Sequence, residues 1–184
     1  MLAVVGQRMN ETGDGPARIR RPPASGDLRI RPLAVGEGAV LQRVFDGMSP
    51  RSRYLRYHSA MPRLTAAYRT ALTAVDGRRH VVLVAERFGP HGWVAVGLGR
   101  LVALGDAGAE IAAEVVDAAQ RQGIGRALVI HLVAVAEALD YRWIEAAVLS
   151  SNAPVLRLLT RLFPGARRSA CGTTISFEIS LQKQ

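Results

Sequence analysis

The stretch from Glu110 to Leu139 narrows the possible folds more than any other part of the chain. Glu110 to Val116 reads as a strand, and a loop holding Gly123 and Gly125 follows it. Ile124, Leu128, Leu132, Val135 and Leu139 then recur every three or four residues, which is the spacing of a long helix over Gly123 to Leu139. Few positions of that helix are charged, so much of its surface is expected to be buried, with His131 packed among apolar neighbours. A strand that turns through glycines into such a helix lays the helix back on a sheet. The turn also has a chemistry of its own. The first amides of a helix lack internal partners and the macrodipole is positive there, so the position suits an anion. Gly123 and Gly125 carry no Cβ to keep a phosphate off the backbone, and Arg121 and Arg126 add formal positive charge.

Two familiar nucleotide sites are excluded on residues. A dinucleotide fingerprint needs a third glycine where Leu128 stands, and a phosphate-binding Walker loop needs a lysine, of which the chain has one, Lys183.

The remaining elements follow from local pattern. Residues 1–26 read as a mobile basic tail, punctuated by Gly13, Gly15, Pro16, Pro22, Pro23 and Gly26, with residues 27–184 as a single domain. Asp27 to Leu33 alternates as a short strand stopped by Pro32. Helical spacing covers Glu37 to Phe45, and Ser49 and Pro50 form an N-cap and first-turn pair for a helix through Tyr57. A third helix is predicted from Thr65 to Val75. His80 to Glu86 and Trp93 to Leu101 form a hairpin across the turn at Gly89–Gly92. Trp143 to Leu149 is a strand, Asn152 to Phe163 a helix, and Thr173 to Leu181 a closing strand free to pair across a dimer. This order predicts a mixed α/β sheet with helices on both faces.

Composition removes several classes of function. Of the 184 residues, 49% are hydrophobic, enough to build a core and too many for a wholly disordered chain. No apolar run reaches the ~18 residues of a membrane span, and the opening Met1–Gly6 lacks the charged start of a secretory signal. The single cysteine, Cys171, can form neither an internal disulfide nor a cysteine-based zinc site, and the cytosol is the expected compartment. His58, His80, His91 and His131 are too scattered for metal-ligand spacing, so no metal is expected. The net charge of +9 draws polyanions in general. Its arginines are dispersed, however, and with aromatic residues at 5% stacking platforms for nucleic acid are few.

The run Gln120-Arg121-Gln122-Gly123-Ile124-Gly125 resembles the acetyl-CoA signature of the GNAT N-acyltransferase superfamily, Gln/Arg-x-x-Gly-x-Gly/Ala between the fourth strand and the third helix. Val148 to Leu156, a strand followed by Asn152 and an apolar helix, looks like a second element of that family. The resemblance covers about residues 28–181. Ser49 to Tyr57 and Ala109 to Ala112 look most like bacterial Pat-type protein-lysine acetyltransferases, in which the catalytic domain is fused to a regulatory module; no such module is expected here.

The resemblance implies a mostly antiparallel mixed sheet, splayed between its fourth and fifth strands. It implies acetyl-CoA, or another acyl-CoA, as co-substrate. Backbone groups of Val115, Val116 and Asp117 would pair with pantetheine, and the turn from Arg121 through Gln122, Gly123, Ile124, Gly125 and Arg126 to Ala127 would hold phosphate. Asn152 matches the family asparagine that contacts CoA; a plain helix N-cap accounts for it equally well.

The implied reaction is direct acetyl transfer to a primary amine, a protein lysine or a small molecule. An amine near pKa ~10.4 must lose a proton before it attacks, which calls for a general base. Glu110 stands where many relatives place such a glutamate, and Glu114 lies four residues along on the same face as the reserve. Arg53, Tyr54, Arg56, Tyr57 and His58 fall in the region that lines the acceptor cleft in the family, a wall suited to an acceptor bearing negative charge; a solvated arginine face over core tyrosines accounts for the same residues. The tyrosine that many members use to protonate the leaving thiolate is absent from Leu156–Phe163. That keeps a second class open, a CoA-binding regulatory protein with weak turnover. The protein is expected to be monomeric or homodimeric, with neither membrane nor nucleic acid as a partner.

Overall fold

The structure, a computed structural model, describes residues 24–181. Most of the expected basic tail therefore lies outside the described residues. Residues 24–27 are already tied to the sheet: the Gly26 N–H donates to Phe88 O and the Phe88 N–H to Asp27 O, each at 2.9 Å.

Seven strands form one sheet, β1 (Leu28–Pro32), β2 (His80–Gly89), β3 (Gly92–Leu104), β4 (Gly108–Val115), β5 (Trp143–Leu149), β6 (Arg167–Cys171) and β7 (Thr174–Ser180), in the order β1-β2-β3-β4-β5-β7-β6. Every pairing is antiparallel except β4 with β5. The helices are α1 (Gly38–Asp46), α2 (Pro50–Tyr57), α3 (Ala66–Thr73), α4 (Ile124–Ala138) and α5 (Ala153–Leu162), with one 3-10 turn at Asp117–Ala119.

Local chemistry sets the helix starts. Ser49 accepts from the Ser52 N–H at 3.2 Å with Pro50 in the first turn, and Thr65 does the same for the Tyr68 N–H at 3.2 Å. Each side-chain oxygen replaces a partner that the first turn cannot supply.

The sheet is covered on both faces, as the alternation of its strands requires. Val81, Leu83, Ala85, Leu101, Ala109 and Ile111 face one way and meet Ile124, Leu128 and Leu132 of α4, together with Leu159 of α5. Val82, Val84, Ala95 and Leu98 face the other way and meet Leu41, Val44 and Phe45 of α1.

Three expectations change. The strand β6 was not legible: its five residues are all exposed, so it carries no apolar alternation. It covers β7, so the closing strand lies inside the sheet and has no free edge with which to pair across a dimer. His131 is exposed on the outer side of α4, its Nδ1 2.8 Å from Ala127 O, because the buried stripe there runs through Leu128, Leu132 and Ala136. Among the described residues, no helix is long and apolar enough to cross a membrane.

Candidate active site

The fourth and fifth strands part company early. β4 pairs with β3 along its whole length, from Gly108 opposite Leu104 to Val115 opposite Gly97. It pairs with β5 only at Gly108–Trp143, Ala109–Ile144 and Glu110–Glu145. Beyond Glu110 the β5 side of β4 has no strand partner among the described residues, and backbone groups left so must find other partners. Val116 and Asp117 are not part of this open stretch. The Val116 N–H donates to Val96 O and the Asp117 N–H to Gly47 O, each at 2.9 Å, and their carbonyls accept from Ala119 and Gln120. The Val115 carbonyl accepts from Gln120 Nε2 at 3.1 Å. The Val115 N–H, like the backbone groups of Ile111 and Ala113, turns to the open side, so of the three residues that the resemblance implies Val115 alone belongs to the free stretch, which runs over Ile111–Val115.

The strand leads directly into the glycine turn. Gly123, at φ 82°, occupies the left-handed region that glycine enters without steric cost. Arg121 is left-handed as well, at φ 61°, a conformation that disfavours a side chain. No side chain caps α4 and its first turn holds no acidic residue, so its leading amides and dipole face outward uncompensated. A Cβ built on Gly123 would meet nothing within 4 Å, and one on Gly125 only Val115 Cγ2, at 4.0 Å. The turn thus has open space in front of bare amides, which is the form of a phosphate cradle. Arg121 and Arg126 are exposed beside it. Arg87 of β2 reaches it too, its Nη1 donating to Gln122 Oε1.

The two candidate carboxylates have opposite surroundings. Glu110 is exposed at the last paired rung of β4, opposite Val102 on β3 and Glu145 on β5. Among the described residues nothing donates a hydrogen bond to it. Glu114 is 4% exposed. Its Oε2 lies 2.8 Å from Arg56 Nε and accepts from the Tyr57 hydroxyl at 3.3 Å. Burial, and then the Glu114 charge, push the Tyr57 phenol above its ordinary range, so it stays a donor.

Further charges stabilise the approach to the turn. Burial works to raise the Asp117 carboxyl, but hydrogen bonds from Ser49 and Ser52 outweigh it and hold the group below its ordinary value. Gln120 Nε2 also donates to Asp117 Oδ1 at 3.0 Å, tying the turn to the start of α2.

The remaining expected residues separate. Tyr57 joins Glu114, whereas Tyr54 is 48% exposed. Arg53 is committed to holding the chain, with Nε donating to Phe45 O at 3.2 Å and Nη1 to Pro62 O at 2.9 Å. Asn152 begins α5, yet its side chain makes no capping bond, so only the other of its two readings uses that side chain. Sequence reasoning placed Arg56 on the cleft wall without its partner Glu114, and it missed Arg87 and Arg100. The signal for Arg100 was present: a charge in the middle of the apolar run of β3 needs a buried partner or a ligand. Among the described residues, no group of three histidine, cysteine or acidic side chains is placed to hold a metal.

Comparisons with known proteins bear on the family and the fold. The model of the acetyltransferase (GNAT) family matches residues 45–163. The GNAT domain of Streptomyces lividans PAT is similar at TM-score 0.73 and 25% identity, over 83% of this chain and 90% of that one. The protein yncA of Salmonella typhimurium, solved with its cofactor acetyl-CoA, has TM-score 0.59 and 20% identity, over 85% and 95%. A cAMP-binding acyltransferase of Mycobacterium smegmatis has TM-score 0.58 and 24% identity, over 88% of this chain and 47% of that one. These last two likenesses show the fold alone. No curated protein matches the sequence.

Proposed function

The chain belongs to the GNAT acetyltransferase family, and from that premise we propose that it moves the acetyl group of acetyl-CoA to a primary amine, with Glu110 as general base. One observation supports the reading above all: the unpartnered side of β4 runs from Glu110 into an uncapped helix start with room at Gly123 and Gly125. The amides of Gly123, Ile124, Gly125 and Arg126 would hold the pyrophosphate, and the open backbone groups of Ile111, Ala113 and Val115 would pair with the pantetheine arm. Arg87, Arg121 and Arg126 add positive charge at the phosphate end, and Asn152 offers an uncommitted amide beyond β5.

Bound acetyl-CoA supplies a thioester carbonyl that an amine attacks, so that a C–N bond forms as the C–S bond breaks. Glu110 takes the proton that the ammonium must shed. A lysine with pKa ~10.4 is more than three units from neutrality, so removing that proton costs roughly 4–5 kcal/mol without a base. The exposed, uncommitted carboxylate of Glu110 suits this task, whereas Glu114 is held by Arg56 and Tyr57 and serves to position the α2 wall. The thiolate regains a proton from water. Cys171 lies exposed on β6 at the far edge of the sheet, which favours direct transfer over a covalent acyl-enzyme. The same reading puts the chain in the cytoplasm, where that thiol stays reduced.

Calorimetry with CoA and acetyl-CoA, followed by thiol-release assays on an amine panel, tests this reading. Glu110→Gln is expected to leave CoA affinity intact and to lower the acceptor-dependent rate by about 10²–10⁴-fold, the usual contribution of a general base. A rate within twofold of wild type would remove Glu110 from the mechanism.

A further inference from the structure

A cavity of about 570 Å³ lies between α3 and the β2–β3 ladder, on the face of the sheet that carries Glu110. Tyr68, Ala71 and Leu72 of α3 form one wall, and His80, Arg100 and Val102 form the other. Val102 is the residue opposite Glu110 in the ladder, so one wall of the cavity stands on the rung that carries Glu110.

Arg100 is the unusual member of the lining. It is 6% exposed, and burial pulls its guanidinium below the ordinary value. Its Nη1 donates to Leu72 O at 2.6 Å and lies 3.1 Å from His80 Nε2. The ring of His80 resolves its own tautomer. Nδ1 sits 2.9 Å from Ala74 O and carries the proton, which leaves Nε2 to accept from Arg100. His80 is therefore neutral, and burial keeps its pKa down. The other edge of the guanidinium, Nε and Nη2, finds no hydrogen-bond partner among the described residues.

Those two N–H groups form the fork that matches a carboxylate in a bidentate pair. The charge count points the same way. Arg100 senses the attraction of Glu114 and the repulsion of Arg56, and Arg56 already lies against Glu114. Two cations share one anion in a covered place, where Glu114 Oε1 also finds no hydrogen-bond partner among the described residues, so the cluster keeps one positive charge in excess, and a buried charge without its own partner is costly. Both free N–H groups are shut off from water by their neighbours, so a ligand reaches them by displacing the wall. The helix α3 buries none of its residues and is the side able to give.

We infer that this cavity is an acceptor subsite for a carboxylate, and that the acceptor is a small amino acid or a similar amine bearing an acid group and an apolar body. The inference rests on the acetyltransfer reading above and names its substrate class. Arg100 stands opposite Ala112 and Val102 opposite Glu110, so Arg100 and Glu110 are diagonal cross-strand neighbours. Such neighbours have Cβ atoms up to about 7–8 Å apart, a span that one amino acid bridges with its carboxylate on Arg100 and its amine toward Glu110. Ala71, Leu72 and Val102 then receive the apolar side chain.

The test compares L-phenylalanine and L-leucine with phenethylamine and isopentylamine, the same bodies without the acid. Thiol release from acetyl-CoA is expected to show kcat/KM about tenfold or more higher for the acids, the difference a charge-assisted pair makes. Arg100→Gln should erase that preference through KM while CoA affinity, read by calorimetry, stays at the wild-type value. Ala71→Phe fills the cavity without touching the buried charge and should raise KM for the acids in the same way. Equal or absent turnover of the acids by a wild-type protein that binds CoA overturns this inference alone. So does a preference that survives both variants. A wild-type protein that gives no heat with CoA overturns the inference together with the reading beneath it.

Discussion

Replacing Gly125 with alanine should move stability and cofactor affinity in opposite directions. Gly125 is the second residue of α4, with ordinary helical φ, and a Cβ there meets only Val115 Cγ2 at 4.0 Å. In a helix, alanine outperforms glycine by about 0.5–1 kcal/mol, chiefly through the entropy of the unfolded chain. For a chain of this size that amounts to a rise in Tm of about 1–4 °C. The same methyl projects into the space where a phosphate would approach the amides, and the loss of close contact should weaken CoA by about tenfold, or ~1.4 kcal/mol. Scanning calorimetry of the free protein and titration calorimetry with CoA read the two effects separately. Gly123→Ala supplies the contrast, because φ 82° is hostile to any side chain: about 1–2 kcal/mol and 2–8 °C should be lost. Wild-type CoA affinity in Gly125→Ala would refute the cradle, whatever happened to stability.

Further outcomes follow from the buried charges and the strand junction. Glu114→Gln leaves Arg56 and Arg100 without their shared anion and should cost about 3 kcal/mol in urea unfolding, the low end for a broken buried pair because the Arg56 side chain is 18% exposed; adding Arg56→Met should recover part of that loss. Stability should fall as the solution is acidified, first through His80 and then through carboxylates. The pKa of His80 is depressed below its ordinary 6.5 in the folded protein, so the unfolded chain binds more protons just below that pH and stability declines there. Glu37, Glu86, Asp76 and Asp117 are also depressed, and what they contribute above their ordinary values of 4.5 and 3.8 disappears as pH drops through their folded ones. His80→Gln should flatten the first of these phases in pH-dependent thermal melts. Gly108→Ala should destabilise by about 1–3 kcal/mol, since its Cβ would stand 2.2 Å from the Trp143 ring at the first rung joining β4 to β5.

Much of the architecture could be read from local pattern, because the elements that build it bury one face. The helix at Ile124–Ala138, the cap at Ser49 and the hairpin β2–β3 all announce themselves by period or by a capping residue. The edge strand β6 could not be read, since Arg167–Cys171 buries nothing and is held by the ladder to β7 and by the contacts of Arg167 with Glu178 and of Arg168 with the Phe177 ring. His131 was misplaced for a related reason: a mostly apolar helix does not reveal which of its stripes faces the sheet, and Ile130, 40% exposed, shows how far the outer face departs from polarity. At the site, the glycine turn was legible because its function resides in the backbone, which glycine spacing reports directly. The partners of side chains were not. That Glu114 binds Arg56 and Tyr57 while Glu110 stands free depends on where α2 crosses β4, and two glutamates four residues apart on one strand face look alike until that crossing is known. Arg100 and His80 likewise meet only because β2 and β3 pair in one register.

Amide hydrogen exchange with and without CoA probes the central claim at the atoms concerned. Unpartnered or outward-facing amides exchange quickly, and a ligand that takes them as donors slows them. Peptides spanning 111–115 and 122–126 should gain protection when CoA is added, whereas those covering Leu83–Arg87, already paired on both sides with β1 and β3, should not change. CoA binding that left both segments exchanging at their free rates would contradict the account.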